Sequence, residues 1–141
     1  PISVRTIPPI ANCVPLSTVM LLGALGGRLD HALANLMMVV RAARRGVWAE
    51  IRAEGVQIVR INESYTLTGA KGSTVSLLPL GEARGISVRG CYYTIEDFTL
   101  ASDTSRGVSN VVTADEAVFT VREGDLMLFH YSDIHGHGES A

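Results

Sequence analysis

The sequence predicts an α/β unit with the order strand–helix–strand, followed by an all-β antiparallel sandwich, so that the chain is mainly β overall. Up to about residue 70, an apolar run, a helical apolar repeat and two further apolar runs follow one another. From residue 71 onward, short apolar runs are separated by Gly, Asp, Asn and Ser, as in antiparallel sandwiches. We therefore expect an α/β unit with a proline-rich head in residues 1–70 and the sandwich in residues 71–141.

Composition limits the classes of partner. Hydrophobic residues make up 47% of the 141 residues, charged residues make up 18%, and the net charge is −2. Such a chain has no basic surface for nucleic acid, and its apolar runs are shorter than the roughly 18 residues that a membrane helix needs. We expect a cytoplasmic protein without a nucleic-acid or membrane partner. Cys13 and Cys91 form no CxxC motif, and we expect them to be buried or incidental thiols.

Prolines and glycines predict the first two elements of the chain. Four of the five prolines lie in the head, residues 1–17, which we expect to be extended or irregular rather than a continuous helix. The run "TVMLLGAL" (18–25) has the length and composition of a buried parallel strand, and it ends at the paired glycines Gly26 and Gly27.

A helix and a hairpin complete the α/β unit. The helix is predicted from an apolar stripe with helical spacing and from arginines in its last turn, before Gly46. The runs "VWAEIRAE" (47–54) and "VQIVRIN" (56–62) read as two strands joined at Gly55. The predicted stripe of the helix consists of Leu33, Leu36, Met37 and Val40.

The second half reads as short strands at short spacing. The segments are "TVSLLPL" (74–80), "ISVRG" (86–90), "DFTLAS" (97–102), "EAVFTVRE" (116–123) and "GDLMLFHY" (124–131).

The first candidate site is "LGALGGRLDHALANL" (22–36), where a strand turns into a helix. Free backbone N–H groups at a helix start can bind phosphate, and Gly26 and Gly27 would let a ligand approach the backbone closely. Arg28 offers planar donors for phosphate oxygens, and Asp30 could hold Mg²⁺ or a hydroxyl group. Asp30 could equally be a plain N-cap, and His31 a packed or capping residue.

Two further polar segments are candidates. "DTSRGVSN" (103–110) is either a plain turn or a place where hydroxyls and the Asn110 amide bind a small polar ligand. The tail "FHYSDIHGHG" (129–138) could form a metal site, but its glycines also suit a mobile chain end. The candidate metal ligands of the tail are His130, Asp133, His135 and His137.

Together these segments resemble thiamin pyrophosphokinase, motif after motif in that family's order, over about residues 18–130. The resemblance rests on "LGALGGRLDHALANL" (22–36), "VSLLPLG" (75–81), "GISVRGCYY" (85–93), "SRGVSN" (105–110) and "VREGDLMLF" (121–129).

The resemblance implies an α/β catalytic domain followed by a thiamin-binding β-sandwich, in a homodimer with sites between subunits. It implies transfer of the pyrophosphoryl group of ATP to thiamin with Mg²⁺, giving thiamin diphosphate and AMP. By this resemblance, Gly26, Gly27 and Arg28 bind phosphate, Arg28 and Asp30 are catalytic, and Asp30 is the metal ligand. Ser105, Ser109 and Asn110 correspond to the substrate-binding turn, the last two in the pyrimidine pocket.

One departure from the family pattern shapes the functional hypotheses. Members of the family carry Mg²⁺- and ATP-binding aspartate motifs well upstream of the glycine turn, whereas the 21 residues before Leu22 contain no Asp, Glu or Lys. We therefore expect residues 1–70 to be a remnant of the catalytic domain, in a C-terminal fragment or a shortened relative that is incomplete or inactive alone. One alternative is an enzyme whose carboxylates come from another chain; another is a dimeric thiamin-binding or protein-interaction module without catalysis.

Overall fold

The computed structural model describes residues 3–7, 18–23, 26–53 and 55–132. The chain divides into two compact units, Pro1–Arg60 and Ile61–Ala141. This division lies ten residues before the boundary that the sequence predicts, because a strand at Ser64–Thr68 pairs within the second unit, with Glu116–Thr120.

The first unit contains a strand–helix–strand motif flanked by antiparallel strands. The strand order is β1-β2-β3-β4, with β2 and β3 parallel and the two outer pairs antiparallel. The predicted extended head is thus confirmed for β1, and the predicted hairpin at Gly55 is confirmed as β3 and β4. The elements are β1 (Ser3–Ile7), β2 (Thr18–Leu22), α1 (Leu29–Arg44), β3 (Trp48–Ala53) and β4 (Val56–Arg60).

Helix α1 packs against β3 and β4 through a different face from the one predicted. Val39 and Val40 are buried, whereas Leu33 and Met37 of the predicted stripe are 57% and 60% exposed. The prediction of the helix is correct. Of its predicted buried stripe, Val40 is buried and Leu36 is half-buried, whereas the prediction is wrong at Leu33 and Met37. The apolar residues of α1 cover more than one face of the helix, so periodicity alone cannot say which face meets the sheet.

The second unit is the predicted antiparallel β structure. Its central path is β10-β6-β9-β5, and both β7 and β8 pair with β6. These strands belong to two sheets, and β6 contributes to both of them. The strands are β5 (Ser64–Thr68), β6 (Thr74–Arg89), β7 (Ile95–Leu100), β8 (Asn110–Val111), β9 (Glu116–Thr120) and β10 (Glu123–Tyr131).

Strand β6 joins two segments that the sequence predicts as separate strands. Its first half pairs with β10 and its second half pairs with β7 and β9, so the strand passes from one sheet to the other. Gly81 and Gly85 have φ values of 81° and 66°, which glycine adopts without steric cost. These glycines read as breaks in the sequence, but in the structure they bend a continuous strand.

The core of the second unit consists of apolar side chains from both sheets. No helix in the described residues is long and apolar enough to cross a membrane. The largest fully buried side chains of this unit are Phe119, Ile61, Ile86, Leu100, Leu126, Met127, Leu128 and Val75.

Candidate functional site

A small cavity lies in the second unit, where β6, β7 and β9 meet the loop before β8. It has about 360 Å³ of space, including the part that is open to solvent. Its floor is apolar, because side chains from both halves of β6 point into it together with one residue each from β7 and β9. The lining residues are Val75, Leu77, Val88, Tyr93, Ile95, Arg106, Gly107, Val108, Asn110 and Phe119.

The loop over residues 101–109 is held against β6 by backbone and side-chain hydrogen bonds. The N–H of Leu77 donates to the carbonyl oxygen of Gly107 at 2.8 Å. The N–H of Ser109 donates to Ser76 Oγ at 3.0 Å. Ser109 has a φ of 65°, a left-handed conformation that is unfavourable for serine and is held here by its neighbours. The loop therefore has a defined position beside the cavity.

The predicted substrate-binding residues lie in this loop and at the start of β8, which follows it. Asn110 lines the cavity and is half-buried. Ser105 and Ser109 are exposed and lie in the loop on either side of the lining residues Arg106, Gly107 and Val108. The structure thus places Ser105 and Ser109 in the loop and Asn110 at the start of β8, in the cavity wall.

Arg106 gives the cavity its charge. Its guanidinium carbon lies 5.7 Å from the centroid of the Phe98 ring, a cation–π geometry. Among the lining residues no carboxylate balances this charge. Arg106 and Tyr93 lie in segments that carry the family resemblance, but neither is among the residues that the sequence predicts to bind substrate. A charged or aromatic residue in a turn gives no local signal of whether it faces a cavity.

The glycine turn in the first unit leads into α1 as predicted. The helix begins at Leu29, with Arg28 at the N-cap and Asp30 in the first turn. The alternative interpretation of Asp30 as the N-cap is therefore wrong; its Oδ1 accepts a hydrogen bond from the N–H of His31 at 3.0 Å. Gly27 has a φ of 82°, and the space that a Cβ would occupy at Gly26 or Gly27 is open.

Arg28 and Asp30 form an exposed ion pair. The Nε atom of Arg28 lies 3.1 Å from Oδ1 of Asp30, and its Nη2 atom lies 2.5 Å from Oδ2. Both groups that were predicted to contact phosphate or metal are therefore engaged with each other. The described residues contain no cluster of three or more His, Cys, Asp or Glu side chains that could hold a metal ion. Because Mg²⁺ prefers several oxygen ligands, this donor set does not fit Mg²⁺.

His130 of the predicted tail metal site has a different partner. Its Nε2 lies 2.9 Å from Ser73 Oγ, and the Ser73 hydroxyl donates to the carbonyl oxygen of Ala70 at 2.5 Å. Because the Ser73 hydroxyl donates its hydrogen to Ala70, it can only accept from His130. Nε2 of His130 must therefore carry a proton and donate it to Ser73 Oγ. Burial lowers the pKa of His130. The other predicted ligands, Asp133, His135 and His137, lie outside the described residues.

Comparisons with solved structures support the predicted fold family. Thiamine pyrophosphokinase from Bacillus subtilis matches with a TM-score of 0.76 at 17% identity, over 83% of this chain and 56% of that one. Thiamin pyrophosphokinase from Geobacillus thermodenitrificans matches with a TM-score of 0.70 at 25% identity, over 83% and 55%. The Candida albicans protein of the same name matches with a TM-score of 0.70 at 15% identity, over 82% and 44%. The chain thus spans little more than half the length of the two bacterial proteins.

A comparison of the sequence with family profiles assigns the similarity to one domain of these proteins. A search of curated protein sequences finds no significant match. A sequence profile described as "Thiamin pyrophosphokinase, vitamin B1 binding domain" matches residues 57–126. The chain therefore contains the C-terminal region of the thiamin pyrophosphokinase family, with its vitamin B1 binding domain at residues 57–126.

Proposed function

We propose that the Ile61–Ala141 unit binds thiamin in the cavity beside the loop 101–109, within a thiamin pyrophosphokinase-like protein. This proposal rests on where the cavity-lining residues lie in the sequence. Every residue that lines the cavity lies between residues 75 and 119, inside the stretch that matches the vitamin B1 binding domain.

The chemistry of the cavity favours the pyrimidine half of thiamin. Apolar walls suit a flat, neutral ring, whereas the positive charge of Arg106 opposes the thiazolium cation. We therefore place the aminopyrimidine in the cavity and the thiazolium ring at its mouth, away from Arg106. Ser105 and Ser109 are exposed and flank the lining residues 106–108, and we propose that their hydroxyls bond polar edges of the ligand. Because the cavity is small and open on one side, we expect weak affinity.

We propose separately that a thiamin pyrophosphokinase-like protein containing this chain carries out the family reaction, from ATP and thiamin to AMP and thiamin diphosphate. Gly26 and Gly27 would let phosphate oxygens approach the start of α1, and Arg28 would donate to them. Asp30 would have to leave Arg28 to act at the reacting centre. Because the described carboxylates do not fit Mg²⁺, we assign no step to that ion.

Titration calorimetry with thiamin tests the binding proposal. Val108 lines the cavity and is 46% exposed, so the variant Val108→Trp should fold and fill the mouth of the cavity. Leu80 is 37% exposed and does not line the cavity, which makes Leu80→Trp a matched control. We expect thiamin to bind the wild-type chain and the Leu80→Trp variant similarly, and the Val108→Trp variant at least about tenfold more weakly.

Two results would contradict the proposal. If millimolar thiamin gives no heat with the wild-type chain, the unit does not bind thiamin in this form. If Val108→Trp binds as tightly as the wild type, thiamin binds elsewhere.

A further inference from the structure

The side chain of Asn110 is bonded at both ends to the backbone of Tyr93. Its Oδ1 accepts the N–H of Tyr93 at 3.0 Å, and its Nδ2 donates to the carbonyl oxygen of Tyr93 at 2.8 Å. Oδ1 also accepts the N–H of Val111 at 2.9 Å. The direction of the amide is fixed by these partners, since a flipped amide would oppose donor to donor at Tyr93. We call this arrangement the Asn110 clamp.

The clamp continues the backbone pairing that anchors the turn between β6 and β7. The carbonyl oxygen of Gly90 accepts the N–H of Thr113 at 2.9 Å, and the N–H of Tyr92 donates to Val111 at 2.8 Å. At the next residue, Tyr93, the partner becomes a side chain, that of Asn110. The clamp therefore fixes the point at which this turn leaves the strands.

What the clamp holds is part of the cavity wall. Tyr93 lines the cavity, yet the residue is 65% exposed. Its ring makes an edge-to-face contact with Tyr92, itself exposed, with 4.8 Å between the ring centroids. Packing against the core does not fix so exposed a ring, and its position depends on where the backbone of Tyr93 is held.

The same hydrogen bonds limit what Asn110 can offer a ligand. An amide oxygen has two lone pairs, and Oδ1 already accepts two N–H groups. One N–H of Nδ2 remains. To form hydrogen bonds with both the donor and the acceptor of an aminopyrimidine edge, Asn110 would have to break a hydrogen bond to the backbone of Tyr93 or Val111. That backbone group would then have no partner.

We infer that Asn110 is a positioning residue, which holds Tyr93 in the cavity wall and affects thiamin binding through Tyr93 rather than by direct contact. The effect on thiamin rests on the proposed function. The clamp itself is a property of the unliganded chain, so the two can be tested separately.

Hydrogen exchange without ligand tests the clamp. In Asn110→Ala, we expect the amide of Tyr93 to exchange about tenfold faster or more, while amides of β10 keep their wild-type rates. Asp103→Ala, an exposed change in the same loop, serves as the control and should leave the exchange of Tyr93 unchanged. Unchanged exchange at Tyr93 in Asn110→Ala would overturn the inference.

A double-mutant cycle on thiamin affinity tests the route of the effect. Tyr93→Ala should fold, since Tyr93 is mostly exposed. Ligand-observed NMR can measure the weak thiamin affinity that we expect of this variant. We expect Asn110→Ala to weaken thiamin binding about tenfold in the wild-type background and to have no further effect in Tyr93→Ala. An equal loss in both backgrounds would place Asn110 directly on the ligand and refute the inference. If the wild type binds no thiamin, the proposed function fails, and hydrogen exchange alone decides the clamp.

Discussion

The backbone of Gly107 lies directly against that of Leu77 on β6. The N–H of Leu77 donates to the carbonyl oxygen of Gly107 at 2.8 Å. A Cβ atom at residue 107 would lie 2.1 Å from the carbonyl oxygen of Leu77, closer than any side chain can approach. The position therefore requires a residue without a side chain, and the contact fixes the loop over residues 101–109 beside the cavity.

We expect Gly107→Ala to displace this loop from β6. The clash is with backbone atoms, which cannot move aside as a flexible side chain can, so we expect a loss of about 1–3 kcal/mol in the free energy of unfolding. Thiamin affinity should fall as well, because Gly107 and its neighbours line the cavity. Urea unfolding and calorimetric titration measure the two effects.

Gly26→Ala is the matched control for this prediction. A Cβ at Gly26 meets nothing within 4 Å. We expect the free energy of unfolding of Gly26→Ala to stay within about 0.5 kcal/mol of the wild-type value. Equal stability of the two alanine variants would show that the loop does not pack on β6 as described.

His130 should make stability depend on pH. Burial lowers its pKa in the folded protein, so below about pH 6.5 the unfolded chain takes up the proton more readily than the folded chain. The stabilising effect of neutral His130 is therefore present above that pH and is lost as the pH falls toward the lowered folded pKa. His130→Gln keeps a donor for Ser73 but does not titrate.

Urea unfolding of the wild type and of His130→Gln, at about pH 7.5 and about pH 5, measures this effect. We expect the wild type to lose more stability than the variant as the pH falls. Parallel losses in the two proteins would mean that other groups account for the pH dependence.

The strands of the second unit could be predicted because their apolar runs are separated by turn residues. What could not be predicted is that β6 is continuous: Gly81 and Gly85 look like turns in the sequence, and only pairing with β10, β7 and β9 shows that they bend one strand. The pairing of β5 with β9 joins segments about 50 residues apart, a relationship that local periodicity does not contain.

The candidate site shows the same limit. The predicted polar segment 103–110, which includes Asn110, could be recognised in the sequence as a candidate site from its polar residues. The bonds from Asn110 to Tyr93 join residues 17 positions apart, so its role as a clamp follows from the folded structure alone. The predicted helix start at the glycine turn is confirmed, but the sequence does not predict the ion pair between Arg28 and Asp30.

Cys91 should be chemically inert in the folded chain. It is buried, and burial raises the pKa of its thiol to about 11, so about one molecule in a thousand carries a thiolate at pH 8. A Cys13→Ser background leaves Cys91 as the remaining cysteine of the chain. We expect a thiol reagent to modify it in guanidinium chloride but not in buffer. Rapid modification of the folded protein would contradict the burial of Cys91.

We expect this chain alone to make no thiamin diphosphate from ATP, Mg²⁺ and thiamin. The carboxylate of Asp30 is paired with Arg28, and the described residues provide no cluster that could bind the metal. Chromatography of the products after incubation at high protein concentration measures the activity. Turnover near the enzyme median of about 10 s⁻¹ would refute this prediction.

Exposed apolar side chains lie on the cavity lining, at Tyr93 and Val108, and at two residues next to it in the fold, Tyr92 and Val111. Tyr92 and Tyr93 are 71% and 65% exposed, and Val108 and Val111 are 46% and 38% exposed. The turn that holds Tyr92 and Tyr93 is joined to β8 by the Asn110 clamp and by the hydrogen bond from the N–H of Tyr92 to the carbonyl oxygen of Val111. Grouped apolar side chains on a surface are typical of contact sites.

We expect the chain to form a homodimer through this face of the second unit, because burying the four side chains removes apolar surface from water. Light scattering at micromolar concentration should give about twice the monomer mass of 15.1 kDa. Tyr92→Glu should shift the mass toward that of the monomer, since it places a charge in the contact. Leu33→Glu, an exposed change on α1 in the first unit, is the control and should remain dimeric. A monomeric wild type, or a dimer that only Leu33→Glu disrupts, would contradict this assignment of the interface.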